Sequence, residues 1–455
     1  MLRLSSHLRA TLGLGLPLIG SMLAQIAITL TDTIMMGWYG VEDLAAVALG
    51  SSYFHVILIL GMGFGLAVMP LVAAAAANDD RRQLRRVTRM ALWIALMFSV
   101  AVQPVFVLSG PILLSLGQDP EVARLTAAYL VPAGLGIAPA VVTTVLRSHL
   151  SALDHPRIVL WATLAGVGLN AWLNWILIFG NLGAPELGVT GAALASLATH
   201  LLIAAVLALY AAMHRDLRQD TLFARFYRPD WDAMAQVFRL GWPIALTLLS
   251  ESGLFMATMV MMGWLGPNTL AAHGIAIQIC AATFMVHIGL SQAATVRAGR
   301  AWGRNDTANL RLAAMAALIL SGVMVALTIA SFLLIPETLI GLFLDPADPL
   351  RPDIIAMGAS LLAVAALFQL ADAGQVMALG LLRGVQDTRA PMIYAVFSYW
   401  CLGLPAAWVL GFPLGFEGPG IWAGLVVGLA FAAGLMMTRF WRGPARGLTT
   451  RPASL

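Results

Sequence analysis

Apolar stretches of roughly 20 residues, long enough to cross a ~30 Å hydrocarbon core as helix, recur along the whole chain. Twelve lie near residues 13–37, 45–74, 90–116, 122–147, 158–180, 188–213, 237–264, 270–297, 311–335, 354–383, 391–412 and 419–438. In lipid every backbone polar group needs an internal partner, and no alternating barrel pattern is present, so an all-α helical bundle is the spanning structure expected. Only 11% of the residues are charged, against about 25% in soluble globular chains. The first apolar run is of full span length with no small-residue cleavage site after a short core, so it reads as a retained span rather than a signal peptide. The longest polar connection, about His214 to Asp232, is too short to fold alone.

The formal charge is +4, but its distribution argues for membrane orientation and against a nucleic-acid partner. All 26 basic residues are arginine. With a cytoplasmic N-terminus, 24 of them fall inside, among them Arg3, the run Arg81–Arg89, Arg225 and Arg451, and only Arg124 and Arg351 face out. That asymmetry places both termini in the cytoplasm of a multi-pass protein of the plasma membrane, the inner membrane of a bacterium. Cys280 and Cys401 lie within spans and read as two buried thiols, with no disulfide framework or zinc pattern.

At an offset of 226 residues the chain resembles itself. Gly15-Leu-Pro17 matches Gly241-Trp-Pro243, and Met35-Met-Gly-Trp38 matches Met261-Met-Gly-Trp264; 11 of the 32 residues from 15 to 46 are identical to their partners. Two halves of six spans share one orientation, so they are expected to be parallel repeats about a pseudo-two-fold axis along the membrane normal. The expected organisation is a first lobe over 1–213, a cytoplasmic linker over 214–236, a second lobe over 237–440 and a cytoplasmic tail over 441–455. Two lobes with a cleft between them is the architecture of a rocking carrier.

Three of the 22 acidic residues lie deep in apolar spans: Asp32, Glu251 and Asp372. A charge at mid-helix costs about 2.5–3.5 kcal/mol on insertion scales, so such residues face an aqueous cavity or a partner. No arginine lies inside a span where it would pair with them. Each must therefore hold either a proton or a bound cation. The alternative is a protonated carboxyl acting as packing glue, and for Asp32, towards the outer part of its span, an outer-vestibule position. Asn170 and Asn174 are four residues apart, on one face of span five. With Asp32 and a hydroxyl such as Ser196 they could form an all-oxygen cation site, the ligand type that Na⁺ and other hard cations prefer; interhelical amide bonding is the rival reading. Glu251, flanked by Ser250 and Ser252, and Asp372, with Gln369 near, make the second cluster. Glu251 aligns with Gln25 across the repeat, so the lobes differ in carboxylate placement. Gln25, Gln278, His287, Phe255, Phe368 and Gln369 are candidate cavity residues, the aromatic ones through cation–π attraction for an organic cation.

No histidine pair shows a metal-ligand spacing such as HExxH, and satisfied or surface histidine is the preferred reading for each. With no lysine there can be no P-loop, and no nucleophile motif stands out, so the chain is not expected to be an enzyme or to need a cofactor. Gly380-x3-Gly384 and Gly420-x3-Gly424 are expected to permit close helix contacts.

The segments TDTIMMG (31–37), GAPELG (183–188) and LRGVQDTRAP (382–391) resemble the multidrug and toxic compound extrusion (MATE) transporter family. The Ser250-Glu251-Ser252 context and Asp372 look most like its NorM branch. The resemblance implies export of organic cations in exchange for Na⁺ or H⁺. It makes Glu251 and Asp372 the coupling carboxylates of the second lobe, and Asp32, Asn170 and Asn174 the cation site of the first. Phe368 departs from the tyrosine expected in NorM-like sequences and removes a hydroxyl near Asp372. Small organic cations and the lipid bilayer are the partners implied, with the monomer as the functional unit. A flippase for a lipid-linked precursor is the alternative; its anionic pyrophosphate would call for arginines inside the spans.

Overall fold

The computed structural model describes residues 4–224, 226–346 and 349–447, with Val41 as backbone only. Arg3, Arg225, Arg451 and residues 448–455 of the expected tail lie outside the described residues. Two compact units are formed, residues 20–245 and residues 1–19 with 246–455.

The first unit holds most of α1 (Leu4–Tyr39), then α2 (Val41–Ala77), α3 (Arg81–Ala101), the short α4 (Gln103–Val107) and α5 (Ser109–Ser115), and α6 (Pro120–Leu135). It continues through α7 (Ile137–Ala152), α8 (Pro156–Leu177) and α9 (Gly188–Met213) into the first turns of α10 (Trp231–Trp264). The second unit holds the remainder of α10, α11 (Pro267–Gly303), α12 (Thr307–Leu334), the short α13 (Pro336–Gly341) and α14 (Arg351–Gly384). It ends with α15 (Arg389–Val396), a π-helical turn over Phe397–Gly403, α16 (Leu404–Gly411) and α17 (Glu417–Arg442).

Among the described residues, eleven helices are long and apolar enough to cross a membrane, and the bent pair α6–α7 makes up to twelve. Helix starts follow local chemistry. Asp80, Asp119 and Asp306 accept hydrogen bonds from the backbone N–H groups of Gln83, Glu121 and Asn309 in the opening turns of α3, α6 and α12. Pro156 and Pro267 occupy the first helical turn of α8 and α11, where no N–H is needed. Large apolar side chains such as Val100, Leu209, Leu327 and Leu367 stand exposed on outer faces, as expected where the surrounding solvent is hydrocarbon.

Two spans depart from the simple runs read in the sequence. The fourth is broken at Gly136 and bends by 45°, because Pro139 cannot donate to the carbonyl of residue 135 in a continuous helix. The third begins at Arg81, well before its apolar run, and is interrupted at Val102 and Leu108, ahead of Pro104 and Pro111. Cys280 is buried as expected, but Cys401 is exposed: the π-helical turn gives its residues a periodicity that a sequence pattern for α-helix does not anticipate.

The unit boundaries run through α1 and α10. At each crossing two glycines let backbones meet. A Cβ on Gly289 would lie 2.7 Å from the Ile19 nitrogen, and one on Gly15 would lie 3.2 Å from Leu290. The repeat-related crossing, 226 positions away, is built alike: a Cβ on Gly63 would lie 2.5 Å from the Ala245 nitrogen, and one on Gly241 2.8 Å from the Phe64 Cα.

The linker is anchored within the first unit along the basic edge of α3. Arg81 donates to Gln219 Oε1 (3.0 Å), Arg85 to Thr221 Oγ1 (2.8 Å), Trp93 Nε1 to the Phe226 carbonyl (2.8 Å), and Arg86 makes a two-pronged contact with Asp230. These arginines thus carry a packing role besides the topological one read from the sequence.

Candidate functional site

In the first unit, Asp32 of α1 is buried against α8 and α9. Asn170 and Asn174, one turn apart on α8, both donate to its Oδ1, at 3.0 and 2.6 Å, and Ser196 Oγ of α9 donates to Oδ2 at 2.8 Å. Asn174 Nδ2 also reaches Asn170 Oδ1 at 3.3 Å. Both asparagines are fully buried, so the four residues grouped by sequence are in mutual contact. Three donors on one carboxylate satisfy it in the ionised form. The amide nitrogens point inward, and Asn174 Oδ1 has no partner among the described residues. To coordinate a cation the amides would have to turn and present oxygen; for Asn174 that turn gives up no bond made by its oxygen. Tyr129 of α6, whose hydroxyl lies 3.3 Å from Ser51 Oγ, is within electrostatic reach of Asp32 and was not singled out by sequence.

The second unit contains the other cluster. Glu251 of α10 and Asp372 of α14 are buried and close enough for their charges to interact. Glu251 Oε1 and Asp372 Oδ1 lack hydrogen-bond partners among the described residues. Gln369 and Gln375, three residues either side of Asp372 and fully buried, share its face of α14. Gln369 donates to Thr283, and among the described residues neither its Oε1 nor either polar atom of Gln375 has a partner. Buried polar atoms are nearly always paired, so this concentration of orphans marks a place suited to a proton or a cation.

The structure adds two residues to this cluster. Tyr399, from the π-helical turn, is completely buried, its hydroxyl without a partner among the described residues, and within electrostatic reach of both Glu251 and Asp372. It supplies from a different span the hydroxyl that Phe368 withholds. Arg383, at the far end of α14, is also within charge reach of Glu251. The sequence offers no arginine inside a span to pair with these carboxylates; Arg383 bears on Glu251 by charge alone, from the end of its helix. No direct ion pair between the two is found among the described residues.

The candidate cavity residues divide. Phe368 is buried, its ring 6.0 Å from Phe255 and 5.3 Å from Trp422, both edge-on, so Phe255 is the more open of the pair. Ser250 Oγ accepts from Trp400 Nε1 at 2.8 Å. His287 is fully buried with Nδ1 3.0 Å from Ser321 Oγ. Gln25 is half-buried and Gln278 exposed.

The family model described as MatE matches this chain twice, over residues 17–176 and 243–409. The chain belongs to the MATE family. The double match restates the 226-residue repeat, since 17 and 243 are one repeat apart. The chain is 45% identical to the probable multidrug resistance protein NorM of Rhizobium meliloti and 42% identical to that of Agrobacterium fabrum, in each case over 96% of this chain and 94% of the relative. It is thus a NorM-like MATE protein. Among solved structures, a multidrug resistance MATE family transporter in its outward-facing conformation shares the fold with a TM-score of 0.87 at 22% identity, covering 98% of this chain and 97% of that one. The eukaryotic MATE transporter AtDTX14 does so at 0.85 and 19%, covering 98% of each. As a MATE protein the chain is a transporter and not an enzyme.

Proposed function

We propose that this MATE protein is a cation-coupled antiporter that exports amphipathic, mostly cationic compounds by alternating access, driven by inward Na⁺ or H⁺. The observation that carries the reading is the pair Glu251 and Asp372, buried together with an unpartnered oxygen on each. Two neighbouring carboxyls in low dielectric both stay charged only with a positive ion beside them, and otherwise one takes up a proton. Arg383 offsets only part of that charge. If the cation and the exported compound bias the two access states oppositely, inward cation movement drives outward export. One charge moving across ~100 mV supplies about 2.3 kcal/mol. The multidrug resistance names of the relatives support export of varied drugs, and the half-buried Phe255 beside the cluster supplies a ring face for an organic cation.

The same proposal assigns Asp32, Asn170, Asn174 and Ser196 to a second cation site, closed by hydrogen bonds until the amides turn. It also places both termini in the bacterial cytoplasm and takes the single chain as the functional unit. In proteoliposomes with sodium and proton gradients imposed separately, one gradient should drive export of a fluorescent organic cation. Glu251→Gln and Asp372→Asn should each abolish it with protein yield unchanged. Normal transport in both variants contradicts the assignment, and movement of a labelled anionic lipid without any gradient would favour the flippase instead.

A further inference from the structure

At the ends of α8 and α9 nearest the linker lies a cluster that belongs to neither carboxylate site. His155 caps the start of α8, His214 caps the end of α9, and Asp216 follows two residues later. One ring nitrogen of each histidine and one carboxylate oxygen of Asp216 all lie within 4.8 Å of one another. We propose that these three residues form a binding site for a divalent transition-metal ion, which clasps α8 to α9.

Four observations support it. His214 Nδ1 is buried without a hydrogen-bond partner among the described residues and stands 3.8 Å from Asp216 Oδ2. That separation is long for a hydrogen bond, but near the ~3.3 Å between neighbouring ligands around tetrahedral zinc with bonds of about 2.0–2.1 Å. Tyr210, one turn before His214 on α9, places its hydroxyl 3.0 Å from His155 Nδ1. Such an outer partner fixes the tautomer and orientation of a ligating imidazole and leaves the other nitrogen free to bind. The rings of His155 and His214 are 4.8 Å apart, and Tyr210 stacks on His214 at 4.6 Å, so the imidazoles are held in place beforehand. Finally, the half-buried histidines and the exposed aspartate leave the site open to the aqueous side. Two imidazoles and one carboxylate suit Zn²⁺, Co²⁺, Ni²⁺ or Cu²⁺ rather than the all-oxygen preference of Na⁺ or Mg²⁺, and three protein ligands leave a position for water.

The two helices clasped are those that carry Asn170, Asn174 and Ser196, so a bound metal would fix one against the other at the end remote from Asp32. No spacing rule could find the site, because its histidines are 59 positions apart in sequence.

The test uses full-length, tag-free protein in detergent, titrated with Co²⁺ and followed by visible absorption. Wild type should take up one Co²⁺ per chain with the intense bands of a tetrahedral site, displaced by Zn²⁺. His155→Gln with His214→Gln should abolish the bands, and Asp216→Asn, at an exposed position, should weaken them. Tyr210→Phe should loosen binding roughly tenfold, as expected for an outer-shell partner. Elution and melting temperature in the presence of a chelator should match wild type in every variant. No tetrahedral bands in wild type, or undiminished bands in a folded double variant, would overturn the proposal. Either result leaves the transport reading untouched, since the titration reads metal uptake alone.

Discussion

Asp32 and the pair Glu251–Asp372 are both buried carboxylates, yet their surroundings differ in kind. Asp32 receives three hydrogen bonds, whereas the other two keep unpartnered oxygens. Asn174→Ala should therefore cost stability, about 1.5–3 kcal/mol for a hydrogen bond to a charged acceptor, read as a lower melting temperature in detergent. Tyr399→Phe should behave oppositely. The hydroxyl it removes has no partner among the described residues, so stability should change by less than about 1 kcal/mol. The cation concentration for half-maximal export should nevertheless rise several-fold, because the group lies within reach of both carboxyls. An unchanged cation dependence would remove Tyr399 from the site. Asp32, Glu251 and Asp372 were legible in the sequence because charge in an apolar run is conspicuous. Tyr399 was not, because a tyrosine in mid-span carries no charge to mark it, and only the cross-helix approach brings it to the carboxyls.

Helix ends and helix crossings set the next level. Gly424 of α17 faces α16 so closely that a Cβ would stand 2.1 Å from the Ala407 nitrogen, while Gly434, further along α17, has nothing within 4 Å. Gly424→Ala should lower folded yield and melting temperature sharply, since neither backbone can retreat cheaply. Gly434→Ala should be neutral or stabilising by roughly 0.5–1 kcal/mol, through helix propensity alone. Gly380 and Gly384 are similarly pressed against Ser291 and Ala298 of α11. Those small-residue motifs were readable in advance as contact surfaces; the bend at Gly136 and the π-helical turn were not, because hydropathy measures apolar length and is blind to backbone register. At the edge of α3, the Arg86 guanidinium bonded to Asp230 holds that carboxyl below the usual carboxylate range. A depressed value in the folded state means stability is present above the ordinary value of about 3.9 and is lost as pH falls through the lowered one. Protease cleavage of the linker should therefore quicken below about pH 4, and Asp230→Ala should produce the same quickening at neutral pH.

For the molecule as a whole, the number of spans, the repeat and the family were all readable, because each rests on long-range regularity in the chain. Orientation is the part of that reading open to direct measurement. With Cys401 replaced by serine, a cysteine at Gln219 in the linker should react with a membrane-impermeant maleimide only after cells are permeabilised. Labelling of intact cells would invert the topology. What no periodicity could show is the exchange of helix ends, in which residues 1–19 belong with 246–455 while the start of α10 belongs with 20–245. The tip of α1 therefore emerges from the ribosome long before the surface it is shaped to meet has been translated. Severing the chain in its middle would leave each piece carrying a helical stub that fits only the other, so the duplicated halves are bound to be made, and inherited, together.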